Sequence, residues 1–161
     1  MDVNALIGAV SAVGFPIVCC IMMGWFISKS NAQQREDIKE LNAQRKEEML
    51  SFKEALDYNT NAIINAMKNN SIFIITHPGD KGDVYIEEIA KTAKETDTRL
   101  EVNSSHGFLN VEQLKIIKPY ENKLIIGSDA HVPDNVGNFK LAIENLEKAK
   151  INLSLVENIK L

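Results

Sequence analysis

The stretch Lys123–His131 reads K-L-I-I-G-S-D-A-H and joins an apolar run to a carboxylate and an imidazole two residues apart. Residues i and i+2 of an extended segment point the same way, so Asp129 and His131 are expected to face one point. Oxygen and nitrogen donors meeting there suit a divalent metal ion of hard or borderline character. Two further places carry comparable groups. His77 stands in Thr76-His77-Pro78-Gly79 and His106 in Asn103-Ser104-Ser105-His106, and these three histidines are the whole complement of the chain. The first 70 residues contain none.

The elements that must position these groups follow from the apolar pattern. Leu124–Ile126 is apolar on both faces before Gly127 and Ser128 break it, which suits a buried parallel strand. Ile72–Ile75 is a second such run, Arg99–Asn103 a third, and Ile151–Val156 is read as a last short strand. Between them lie helical faces. Ile86, Ile89, Ala90 and Ala93 mark the first, Val111–Ile117 the second, which stops before Pro119, and Phe139, Ala142, Ile143 and Leu146 the third. This alternation predicts parallel βαβ units over residues 71–161. Crossovers of that kind are right-handed, so the strand ends share one rim, where α/β sheets gather their ligands. His77, Asn103–His106, Asp129 and His131 are all expected there, with His106 read as a solvated loop histidine.

The N-terminal part has a different character. Ala5 to Ile27 holds no charged residue, and its 23 residues make a helix of about 34 Å against a hydrocarbon core of about 30 Å. A transmembrane helix is expected over residues 1–28, kinked by Pro16 with Gly14. Trp25 falls at the interface, and Lys29 and Arg35 after the span, against Asp2 before it, predict a cytoplasmic C-terminal side. Ala5, Gly8, Ala9 and Ala12 put small residues on one face, which predicts a homo-oligomer. Residues 29–70 are rich in helix formers and free of Gly and Pro. Met49, Phe52, Leu56, Ile63 and Met67, with Asn59 in the seam, read as a short coiled coil. Residues 71–161 form the third region.

Charge removes one class of function. With 22 acidic against 18 basic residues the net charge is −4, so no basic footprint marks a nucleic-acid partner. Cys19 and Cys20 are adjacent and supply neither a disulfide framework nor a spaced zinc motif.

T-H-P-G-D, L-E-V-N-S-S and I-I-G-S-D-A-H-V-P-D-N-V-G-N-F, in that order, resemble the C-terminal half of the PHP (polymerase and histidinol phosphatase) family, in its small phosphatase branch. The resemblance spans about residues 71–161. It implies part of a distorted (β/α)7 barrel, with three to four parallel strands present, and metal-dependent hydrolysis of phosphate monoesters with zinc or manganese. By the same resemblance His77, Asp129 and His131 are metal ligands, with Asp129 and His131 holding the ions in catalysis, and Glu101 and Asn103 border the site. No other cofactor is implied. The family's remaining ligands come from the first half of its barrel, an H-x-H among them, and none exists here. Residues 1–68, through V-G-F-P-I-V and the charged helix, resemble small holin-like or YvrJ-like membrane proteins. The sequence therefore points to a membrane-tethered, truncated phosphoesterase with impaired turnover of a phosphorylated small molecule. The alternative is a holin-like membrane protein with a degenerate C-terminal extension.

Overall fold

The computed structural model describes residues 2–159, with the side chains of residues 5, 6, 9, 10, 13, 15, 16, 18 and 21 outside that description. The elements in chain order are α1 (Val3–Asn69), β1 (Ile74–Ile75), α2 (Ile86–Glu95), β2 (Arg99–Asn103), α3 (Val111–Ile117), β3 (Leu124–Gly127) and α4 (Lys140–Ala149). Short 3-10 turns lie at Lys118–Tyr120, Pro133–Asn135 and Leu153–Leu155. The chain divides into two compact units, Met1–Leu50 and Ser51–Leu161.

The first unit is helical along its described length. Ile17, Met22, Met23, Trp25, Phe26 and Ile27 are exposed, and Lys29 Nζ lies 5.2 Å from the centre of the Trp25 ring. Among the described residues no helix is long and apolar enough to cross a membrane. The expected single-pass segment over residues 5–27 therefore gains no support from the structure, and part of it falls on the side chains outside the description. The same holds for the association face: Ala5 and Ala9 lie outside the description, while Gly8 and Ala12 are exposed.

The second unit is an α/β fold around a parallel three-stranded sheet of order β1-β2-β3. The register pairs Ile75 with Leu100, Leu100 with Leu124 and Asn103 with Gly127. α2 and α3 are the crossovers. α2 buries Ile86, Ile89, Ala90 and Ala93 and carries Glu87 and Glu88 in its first turn, where the helix dipole favours negative charge. α3 opens with a capping box, in which Asn110 Oδ1 accepts from the Gln113 N–H and Gln113 Oε1 accepts from the Asn110 N–H. Leu100, Val102, Leu109, Leu114, Leu124, Ala142 and Leu146 close the core. The end of α1 belongs here too. Thr60 and Met67 are buried, and Ile63 and Ile64 pack against the core. The last members of the seam read as a coiled coil thus serve the α/β core, whereas Met49 and Phe52 stay exposed.

Two strand expectations change. Ile72–Ile75 contributes only Ile74–Ile75 as strand. Ile151–Val156 does not form a fourth strand: Asn152 Oδ1 accepts from the Ser154 N–H and turns the chain into the Leu153–Leu155 helix. A single parallel bridge, Leu124 to Val156, remains. Beyond it the Asn158 side chain pairs with the outer edge of β3, donating to Ile126 O at 2.8 Å and accepting from Ile126 N at 2.9 Å. The described sheet is open, with three strands, rather than an arc of four.

Candidate functional site

The C-terminal ends of the three strands share one rim, and each is followed by a sharply turned loop. After β1 the chain reaches His77 at φ 27°, in the left-handed region that few non-glycine residues adopt. The Asp80 N–H donates to His77 O at 3.1 Å and closes the turn. Gly79, at φ 103°, lies so near the Phe108 ring that a Cβ there would be 3.2 Å from it. After β2, Asn103 Oδ1 accepts from the N–H groups of Ser105 and His106 at 2.9 and 2.8 Å, an Asx-type turn. Ser104 Oγ accepts from Leu141 and Ala142 at 3.1 and 3.3 Å, tying the loop to the start of α4. After β3, Asp129 also takes a positive φ, 47°. Strained backbone at two rim residues is the kind of feature that clusters at working sites.

The side chains on this rim form a string. His77 Nδ1 lies 3.9 Å from Asp80 Oδ2, and His106 Nδ1 lies 3.3 Å from Asp80 Oδ1. His106 Nε2 lies 2.9 Å from Asp129 Oδ2. The two imidazoles are tilted against each other with 5.4 Å between ring centres. Only 13% of the Asp80 side chain is exposed. Its Oδ2 is buried and accepts no well-formed hydrogen bond, the nearest cation being Lys81 Nζ at 3.2 Å. The Lys81 ammonium holds the Asp80 carboxyl below the usual carboxylate range, against the opposing effect of burial, and the His106 and His77 rings add to it.

His77 and Asp129, singled out from the sequence, thus stand in one string, linked by His106, expected on the rim but without a role, and by Asp80. His106 is not a freely solvated loop histidine, because both its nitrogens face carboxylates. His106 and Asp80 both carry a signal that could have found them: each lies three residues past a strand-end polar group, in a segment rich in turn formers. His131 takes another course, with Nδ1 2.8 Å from the backbone oxygen of Asp129. Glu101 and Asn103 lie beneath the rim, 8% and 0% exposed.

The donor chemistry of this rim is of the right kind for zinc or manganese. Among the described residues no group of three or more His, Cys, Asp or Glu side chains is placed to hold one. The imidazoles and carboxylates pair with one another instead of facing a common point. Beside His77 lies a cavity of about 290 Å³, lined by Asn59, Ile63, Thr76, His77, Lys81 and Val84 among others.

Comparison with curated proteins gives this rim a context. The chain is 36% identical over 113 residues to a probable phosphatase of Thermoanaerobacter sp. (strain X514), covering 64% of this chain and 46% of that protein. It is 33% identical over 112 residues to a probable phosphatase of Clostridium novyi (strain NT), with the same coverages. A probable phosphatase of Shewanella halifaxensis (strain HAW-EB4) is 34% identical over 110 residues, covering 62% of this chain and 43% of that protein. The chain therefore spans about half the length of the curated relatives it matches. No family model matches it.

Proposed function

We propose that the Ser51–Leu161 unit carries a phosphomonoester hydrolase site that receives a small phosphorylated molecule beside His77. The observation that carries this reading is the string His77–Asp80–His106–Asp129 on the rim, next to a cavity whose polar groups include His77 and Lys81. The similarity to proteins named probable phosphatases supports the same class of reaction. In such a hydrolysis a water oxygen attacks phosphorus, the P–O ester bond breaks, and the leaving oxygen takes a proton. His77 lines the cavity with Nδ1 turned toward Asp80, which makes Nε2 the nitrogen that exchanges a proton with water or the leaving oxygen. Lys81 sets positive charge against the phosphoryl oxygens. His106 and Asp129 hold Asp80 in place from the far side.

Turnover by the chain as it stands is proposed to be slow. Asp80 and Asp129 set two carboxylates near an anionic ester against the single ammonium of Lys81, which pairs with Asp80, so little positive charge meets the phosphoryl group. The test is hydrolysis of p-nitrophenyl phosphate by the purified chain, with and without added zinc or manganese. Slow turnover that falls further in His77→Ala and in Asp129→Ala is expected. Turnover indifferent to both substitutions would overturn the assignment, and fast turnover lost in Asp129→Ala would overturn only its weakness.

A membrane tether belongs to the same proposal as its finer part. It rests on the charge-free run of residues 5–27 and on the helical course of α1 through it. Retention of the full chain in alkaline-washed membranes supports it, and release into the wash removes it.

A further inference from the structure

The central strand β2 holds two buried polar side chains that meet the rim string at its backbone N–H groups. Glu101 and Asn103 are two residues apart and so lie on one face of the strand. Both are buried, at 8% and 0% exposure, where an unpaired polar group would be costly. Their hydrogen bonds run outward to the neighbouring loops. Glu101 Oε2 accepts from the backbone N–H of His77 at 2.9 Å and from Asn103 Nδ2 at 3.3 Å. Asn103 Oδ1 accepts from the backbone N–H groups of Ser105 and His106. One linked pair on one strand therefore grips the backbone at both histidines of the string. On the other side, the Glu101 carboxylate fills the space over Gly127 in β3, where a Cβ would overlap it.

We propose that Glu101 and Asn103 are the positioning residues of this site, fixing the backbones of His77 and His106 so that both imidazoles meet Asp80, with Gly127 leaving room for the Glu101 carboxylate. The argument is geometric. His77 sits at φ 27°, a conformation held only when its surroundings over-determine it. A charge-assisted hydrogen bond from its N–H to a buried carboxylate supplies that constraint. Because His106 reaches Asp80 and Asp129 from a turn closed by Asn103, loosening the pair shifts the whole string at once. Gly127 joins the device through space: alanine there pushes the carboxylate off the His77 N–H without removing its charge. The role in turnover rests on the phosphatase reading above, whereas the positioning itself does not.

The experiment follows backbone amide exchange and turnover together in the full chain. In Glu101→Ala the His77 amide is expected to exchange much faster, while Glu101→Gln, whose single oxygen can still accept both hydrogen bonds, keeps near-native protection. Asn103→Ala is expected to speed exchange at Ser105 and His106. Turnover, where measurable, should fall about a hundredfold in Glu101→Ala, as for an ångström-scale misplacement of reacting groups, and recover in Glu101→Gln. Gly127→Ala should mimic Glu101→Ala, and the double variant should be no worse than either single one, since the methyl group acts only through the carboxylate. Should Glu101→Ala not fold, Gly127→Ala and Glu101→Gln carry the test by their opposite effects on the His77 amide. Native exchange at His77 in a folded Glu101→Ala or Gly127→Ala would overturn the proposal, as would losses that simply add. Exchange effects without any turnover would instead overturn the phosphatase reading alone.

Discussion

His106 is the residue on which sequence and structure differ most. Its two nitrogens face Asp80 at 3.3 Å and Asp129 at 2.9 Å, so it bridges the loop after β1 to the loop after β3. Removing it breaks the link between Asp80 and Asp129 and leaves Asp80 with His77 and Lys81. His106→Ala is therefore expected to cut p-nitrophenyl phosphate turnover by about a hundredfold, as for an ångström-scale misplacement of the groups it positions. His131→Ala, whose Nδ1 lies 2.8 Å from the backbone oxygen of Asp129, is expected to cut it less. Parallel assays of the two variants check the order. The reason sequence reading gives a role to Asp129 and His77 but not to His106 and Asp80 is physical. The first two follow short apolar runs directly, so their place at a strand end can be read from the pattern. The other two are brought in by turns, closed by Asn103 Oδ1 and by the His77 carbonyl, whose geometry leaves no periodicity to detect.

At the scale of elements, strands and crossovers were legible because burial on both faces and amphipathic helical spacing leave strong signals. The last segment was not. Ile151–Val156 has strand-like residues, but the Asn152 side chain bends it into a turn, a local hydrogen bond overriding a propensity. What fastens that segment is ionic. Arg99 donates to Glu157 through Nε at 2.8 Å and lies near Asp97, which in turn meets Lys123 at 2.6 Å. The Lys123 hydrogen bond holds the Asp97 carboxyl below its usual range, and the Arg99 hydrogen bond does the same for Glu157. Folded-state values below the unfolded ones mean that this stability is present above the ordinary carboxylate range. It is lost as pH falls through the folded values. The melting temperature should accordingly drop as pH falls below about 4, the ordinary range of these carboxylates, and Arg99→Ala should flatten that drop. Thermal melts from pH 7 to pH 3 measure both. The amide of Asn158 adds a second fastening, and Asn158→Ala should cost about 1–3 kcal/mol for two hydrogen bonds, read from urea unfolding.

For the molecule as a whole, the division between units falls inside α1, at Leu50 and Ser51. Among the described residues, every member of the main core, from Met67 to Val156, lies on the C-terminal side of that division, as do the partly buried Ile63 and Ile64. A chain beginning at Ser51 is thus expected to unfold cooperatively and to keep the rim string, while one beginning at Ser71 loses Met67 and the Thr60 acceptor of the Tyr85 N–H and should melt lower. Circular dichroism melts of the two distinguish them. This boundary was not legible in advance, because the apolar spacing of the end of α1 serves a coiled coil and an α/β core equally well. Only packing separates the two, and Met67 at 2% exposure decides for the core.

Parallel sheets that stop short of closure leave a flank on which foreign chains can grow, strand upon strand. Here the carboxamide of Asn158 copies the donor and acceptor of a peptide group and occupies Ile126 on that flank. With the Leu124–Val156 bridge beside it, this carboxamide leaves less of the β3 border open to an added strand.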